Sequence, residues 1–171
     1  MKFSKVSFKI FFRDCCKANN IPVDKMDDDD LILDIKDMYE KIKLPVRATK
    51  GSAGYDFFIP YTVNFNHVEG PVLVPTGIRF ECDSDKFLAL YPRSGLGFKY
   101  GMQLRNTVGV IDYDYFYSSN EGHIMAKVTC EESFMLEQGT AMMQGIISPY
   151  YKVDNDTSDK ERDGGFGSTG M

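Results

Sequence analysis

From Leu44 to Tyr150 the chain is a succession of short apolar runs, each broken by Gly, Pro, Asn or Asp, with no helices between them. "PVLVPTGIRFEC" and "KFLALYP" are strand-like. In "HIMAKVTC" the residues Ile124, Ala126, Val128 and Cys130 fall on one face by strict alternation, the signature of a half-buried strand. "MMQGIISPY" reads as a last core strand. Frequent short strands with turn signals and no internal repeat imply a mainly β fold, an antiparallel sandwich or barrel.

The two flanks have different textures. Residues 1–43 read as a helical extension. Phe8, Phe11, Phe12 and Cys15 recur at helical spacing after Ser7, a natural N-cap. "NNIP" breaks that pattern, and the acidic run Asp27–Asp30 stands where a helix dipole favours negative charge. Its spacing is not that of a calcium loop. Leu31, Ile35, Met38, Tyr39 and Ile42 form a second apolar stripe. Residues 151–171 begin with a polar connector, "YKVDNDTSDKERD", and end in "GGFGSTG". Gly and Ser are linker residues, but a linker rarely carries a ring such as Phe166. The alternative is an arm that orders on a ligand. Glycine amides converge on phosphate oxygens, Ser168 and Thr169 add donors, and Phe166 offers a face to a base.

At 171 residues the chain fits one domain. A net charge of −5 makes it a poor coat for nucleic acid, so any phosphate site must be local. Four cysteines without a C-x-x-C pair read as reduced, cytoplasmic residues, and no spacing with His67 or His123 resembles a zinc site. Lys9, Arg13 and Asp14 interrupt the N-terminal apolar run, so neither a signal peptide nor a membrane span is expected.

Four segments of the β-rich region carry candidate chemistry. In "GSAGYDFF", Asp56 is either a turn residue before a strand or a carboxylate able to hold a metal through water. In "YPRSGLGFKYG", Arg93, Ser94 and Gly95 bring a guanidinium, a hydroxyl and backbone amides to a strand end and helix start, either an anion site or an ordinary strand-to-turn junction. In "NTVGVIDYDY", Asp112 and Asp114 alternate with Ile111, Tyr113 and Tyr115. Two close carboxylates suit a metal or general-base work, and an exposed hairpin is the plainer reading. In "MQG", Gln144 interrupts an apolar strand and needs polar partners.

Together with "GGFGSTG", and in this order, the segments resemble the five signature motifs of the trimeric dUTPase family. "AGYD", "PRSGL", "NTVGVIDYDY", "GTAMMQ" and "GGFGSTG" are the first to the fifth, and "LPVRATKGSAGYD" resembles the family's entry segment. The resemblance implies a dUTPase-like β-clip or jelly-roll barrel, assembled as a homotrimer with active sites shared between subunits. It implies cleavage of dUTP to dUMP and pyrophosphate with Mg2+. Asp112 matches the general base, Arg93 a catalytic arginine, and Asp56 the carboxylate that holds magnesium through water. Ser94, Gly95 and Gln144 match phosphate contacts. Asn106, Gly109, Val110 and Ile111 match a hairpin that reads the uracil edge, and Tyr115 the ring against the deoxyribose. Arg162, Phe166, Gly167, Ser168 and Thr169 match the closing arm, with Phe166 stacking on uracil and the others holding the γ-phosphate.

The sequence departs from that pattern in three places. Thr140 and Ala141 stand where the fourth motif carries charge, "FYSSNEGH" follows Asp114-Tyr115 in place of an Arg-Gly pair, and Arg162 lies one residue nearer the Phe than usual. Residues 1–43 fall outside the common core and leave room for a regulatory protein partner. Two rival activities remain on the same fold: dCTP deamination, and regulation through protein contacts.

Overall fold

The computed structural model describes residues 1–159 and residue 162; Lys160, Glu161 and 163–171 lie outside the described residues. The chain opens with β1 (Lys2–Lys5), α1 (Phe8–Ala18), a 3-10 turn at Val23–Lys25, and α2 (Asp29–Glu40). Then follow β2 (Val46–Arg47), β3 (Tyr55–Phe58), β4 (Val63–Phe65), β5 (Val72–Pro75), β6 (Ile78–Glu81) and β7 (Lys86–Pro92). The seven-residue α3 (Ser94–Tyr100) leads to β8 (Gln103–Leu104), β9 (Gly109–Asp112) and a 3-10 turn at Tyr113–Tyr117. Strands β10 (Met125–Thr129), β11 (Phe134–Leu136) and β12 (Ala141–Pro149) complete the described elements.

Every strand pairing is antiparallel. The largest sheet runs β2-β3-β12-β7-β9, and the others run β5-β10-β8, β11-β4 and β1-β6. The alternation in β10 places Ala126 and Val128 inside and Lys127 outside. No helix among the described residues is long and apolar enough to cross a membrane.

The extension was expected to be helical, and it also contributes a strand. β1 pairs with β6 from Lys2↔Glu81 to Lys5↔Ile78. The helices start as their sequences dictate. The Ser7 side chain accepts from the Ile10 N–H at the start of α1. Asp28 accepts from the Asp30 and Leu31 N–H groups at the start of α2, with Asp29 and Asp30 in its first turn. Phe11, Cys15, Cys16 and Ile35 are buried in one cluster with Phe57, Val74 and Phe80 of the strands. The extension therefore shares the core of the sheets.

The two meet tightly at Gly77, between β5 and β6. Its φ is +73°, and a Cβ there would fall 2.3 Å from Ile42 Cδ1 and 3.2 Å from Phe11 Cδ2. Only glycine meets both demands. Its carbonyl accepts from the Val6 N–H at 3.0 Å, and its N–H donates to His123 Nε2 at 2.9 Å.

Candidate functional site

The sequence-predicted residues form two groups along β7, with Asp112 opposite its start and Arg93 just past its end. The first is built on the 104–115 segment. A hairpin was expected there, but β8 pairs with β10 while β9 pairs with β7, so the segment is a corner joining two sheets. The corner is made by Thr107, at φ +62°, with the Val108 N–H donating back to the Asn106 carbonyl at 2.7 Å. That pattern is a γ-turn, a strained geometry that a β-branched residue rarely adopts. The register of both sheets enforces it. It turns Asn106 and the backbone of 108–111 along a cavity of about 280 Å³. Leu90, Leu104 and Met125 supply apolar walls, and Tyr115 and Arg162 border it. The cavity lies just below the range of about 300–1,000 Å³ common for small-molecule sites.

Tyr115 is buried although it lies in an irregular turn. Its hydroxyl donates to the His123 carbonyl at 2.8 Å and accepts from Asn120 Nδ2 at 2.7 Å. The ring beside the cavity is thus fixed at its far end. At the outer edge, Arg162 clamps both carboxylates of the motif. Its Nε donates to Asp114 at 2.8 Å, and one terminal nitrogen donates to Asp112. Asp112 and Asp114 therefore do share one side. Burial raises the Asp112 carboxyl above the ordinary carboxylate range and Asp114 adds to it, with Arg162 pulling the other way. A second, more open cavity of about 480 Å³ lies beside Asp112, with Phe87, Tyr113 and Tyr150 in its walls.

The second group lies at the other end of β7. Gln144 of β12 stands opposite Asp56 of β3 on one side and Tyr91 of β7 on the other. The Arg93 guanidinium lies 3.6 Å from Asp56 Oδ1. Ser94 and Gly95 begin α3 and are exposed, with open space beside Gly95. Among the described residues, no three His, Cys, Asp or Glu side chains converge as a metal cage. What this end offers is one half-buried carboxylate beside a guanidinium. That fits a cation carried mainly by phosphate oxygens and water, the habit of Mg2+.

Asp112 is opposite Phe87 at the start of β7, and Arg93 lies six residues further along. At about 3.3 Å per residue the separation is about 20 Å. Phe166, Gly167, Ser168 and Thr169 lie outside the described residues. Sequence reasoning missed Leu90, Leu104 and Met125, whose apolar character reads only as core. It also missed the His123–Asp14 contact at 2.7 Å, whose members lie 109 positions apart with no local signal.

A small cavity bordered by a turned segment and Arg162, a carboxylate of raised basicity paired with that arginine and a separate arginine–carboxylate group form an arrangement suited to a small phosphorylated ligand. Residues 40–170 match the family model described as dUTPase. The chain is 39% identical over 135 residues to the deoxyuridine 5'-triphosphate nucleotidohydrolase of Lactococcus lactis, covering 75% of this chain and 89% of that protein. It is 35% identical over 142 residues to the protein of the same name from Hydrogenobaculum sp., covering 80% and 96%. The crystal structure of the dUTPase from Streptococcus mutans superposes with a TM-score of 0.60 at 37% identity, covering 68% of this chain and 91% of that one. The chain belongs to the dUTPase family, and by that membership it is a dUTP diphosphatase, a hydrolase of nucleotide metabolism.

Proposed function

We propose that the chain hydrolyses dUTP to dUMP and pyrophosphate with Asp112 as general base, in an active site completed by a second copy of itself. The carrying observation is the 106–112 corner. It borders one cavity with Asn106 and residues 108–111 and carries Asp112 to the wall of the second, with Val110 and Arg162 lining both. Uracil presents acceptor, donor and acceptor along one edge, and the backbone of 109–111 with the Asn106 amide supplies the complement. Cytosine breaks that pattern and leaves buried groups unpaired, at about 1–3 kcal/mol each. The Tyr115 ring, held by His123 and Asn120, lies against the deoxyribose and leaves no room for a 2'-hydroxyl.

Asp112 takes a proton from water. The water oxygen attacks the α-phosphorus, and the bond to the α–β bridging oxygen breaks as pyrophosphate leaves. The raised basicity of Asp112 suits it to this task. Arg93, Ser94, Gly95 and Gln144 bind the phosphates. Asp56 is placed to hold magnesium through water, and the ion neutralises phosphate charge when bound. Arg162 exchanges its contact with Asp112 for the γ-phosphate, freeing the base as the arm of Phe166, Gly167, Ser168 and Thr169 closes.

The separation of about 20 Å along β7 supports a homotrimer with shared sites. So does the exposure of Phe98 (94%) on α3, the helix that begins with Ser94 and Gly95. The primary test is pyrophosphate release from dUTP, dCTP, dTTP and UTP, with and without magnesium. Turnover confined to dUTP and dependent on magnesium is expected. Ammonia release from dCTP would overturn the reading. Sharing is tested by mixing inactive Asp112→Asn and Arg93→Ala subunits. Random assortment should restore activity at roughly a quarter of the sites, whereas a site contained in one subunit recovers nothing.

A further inference from the structure

The N-terminal extension and the 116–123 segment depart from the family pattern separately, and the structure joins them. Glu121 receives both the backbone N–H and the hydroxyl of Ser7, each at 2.7 Å. The buried His123 ring is fixed from two sides. The Gly77 N–H donates to Nε2 at 2.9 Å, which places the ring N–H on Nδ1, where Asp14 Oδ2 lies 2.7 Å away. Asp14 belongs to α1 and is itself held by Arg13 at 2.8 Å.

Between these two anchors the segment is wrapped on Tyr115. The Ser118 hydroxyl donates to the Tyr115 carbonyl at 2.6 Å, and Asn120 Nδ2 donates to the Tyr115 hydroxyl. Gly122, at φ +70°, presses so close that a Cβ would fall 2.8 Å from the Tyr115 carbonyl oxygen. The Tyr115 hydroxyl in turn donates to the His123 carbonyl at 2.8 Å. A continuous line of contacts runs from α1 to the ring that borders the cavity.

We infer that Asp14 of the N-terminal extension is a positioning residue for the active site: through His123 it fixes Tyr115 and thereby sets discrimination between 2'-deoxy and 2'-hydroxy nucleotides. The inference rests on the proposed placement of Tyr115 against the deoxyribose. Asp14 and His123 touch no substrate. They hold the 118–123 segment that holds the ring, and a misplaced positioning contact costs up to about a hundredfold in rate.

The test measures kcat/KM for dUTP and UTP, with Tm, on the full chain. Variants are Asp14→Ala, Asp14→Asn, Tyr115→Phe, Tyr115→Ala and Asp14→Ala with Tyr115→Phe. Asp14→Ala should lower the dUTP-over-UTP ratio about tenfold. Asp14→Asn keeps an acceptor for the Nδ1 proton and should restore the ratio even where Tm stays low. In the Tyr115→Phe background the hydroxyl link is already cut, so Asp14→Ala should lower the ratio no further. A fallen Tm with an unchanged ratio would show that Asp14 only staples the extension, and would overturn the inference. If Asp14→Ala does not fold, Asp14→Leu, which fills the space without accepting the Nδ1 proton, carries the same test, and a ratio equal to wild type is equally fatal. Tyr115→Ala separates the two levels. If it leaves the ratio unchanged, the placement of Tyr115 fails, and the inference fails with it.

Discussion

Asp112 and Asp14 are each held by a basic side chain, but in opposite settings. The Asp112 side chain is 43% exposed and that of Arg162 is 22% exposed, whereas Asp14 and His123 are at 4% and 0%. The open pair borders two cavities; the sealed one joins a helix to a turn. Solvent screens the open pair, so it contributes little to stability and parts readily. The sealed pair has no water to fall back on, and removing one partner leaves a buried polar group unmatched. A catalytic carboxylate must exchange its partner for water and substrate. A carboxylate that fixes a site must not.

The sharpest way to break this contrast is Asp112→Asn. It should slow dUTP turnover by about 10²–10⁴-fold, the scale of a positioned base, while the melting temperature moves little. Steady-state rates and thermal melts on one preparation decide it. Near-normal turnover removes Asp112 from the chemistry. The counterpart on the sealed side is Gly77→Ala, which gives a residue at φ +73° a Cβ that meets Ile42 at 2.3 Å. Backbone strain and overpacking together should cost about 2–4 kcal/mol. Chemical denaturation is the measurement, and a loss below about 0.5 kcal/mol, the scale of a neutral surface change, would mean that the extension does not press on this turn.

Next in size is Asp14→Asn. Burial alone would raise the Asp14 carboxyl, but hydrogen bonds from His123 and Arg13 outweigh it and hold the group below its ordinary range. The unfolded chain therefore binds more protons between the two values. The stabilisation is complete above the ordinary carboxylate range and is lost as pH falls through the folded value. Replacement by Asn should remove about 1.5–3 kcal/mol at neutral pH, the scale of a hydrogen bond to a charged group. It should also flatten the acid limb of the stability profile. An unaltered acid limb would place the linked proton elsewhere.

The contrast also marks what the sequence makes legible. Strict alternation in "HIMAKVTC" and the helical stripe after Ser7 are local patterns, because burial on one face repeats at 2.0 or 3.6 residues. They place β10 and α1 correctly. The motif residues were legible as a set, and so was the doubled carboxylate at Asp112 and Asp114. Strand β1 was not, since "KFSK" is short and polar at three of its four positions, and it is a strand because the edge of β6 is there to pair with it. The corner at Thr107 was hidden because no glycine announces a positive φ; two sheets impose it from outside. Asp14 only interrupts an apolar run and His123 only heads a strand-like one until the fold closes 109 positions between them. Arg162 was visible as a cation, but its partners were not.

Those partners give the smallest and most selective prediction. Arg162→Ala should raise the KM for dUTP about tenfold, in line with one lost charge-assisted contact. It should also move the pH dependence. In the free chain Arg162 opposes the effects of burial and Asp114 on Asp112. Without it the carboxyl binds its proton more tightly, and because the base works ionised, the acid limb of kcat/KM should shift to higher pH. The same profile on the Asp114→Asn variant should move the opposite way, since a like charge has been removed. Both shifts together fix Asp112 as the titrating group and Arg162 as its keeper before substrate arrives. A limb that stays put in both variants would mean that the open pair does not form in the free chain, and Asp112 would then need no exchange of partners to act.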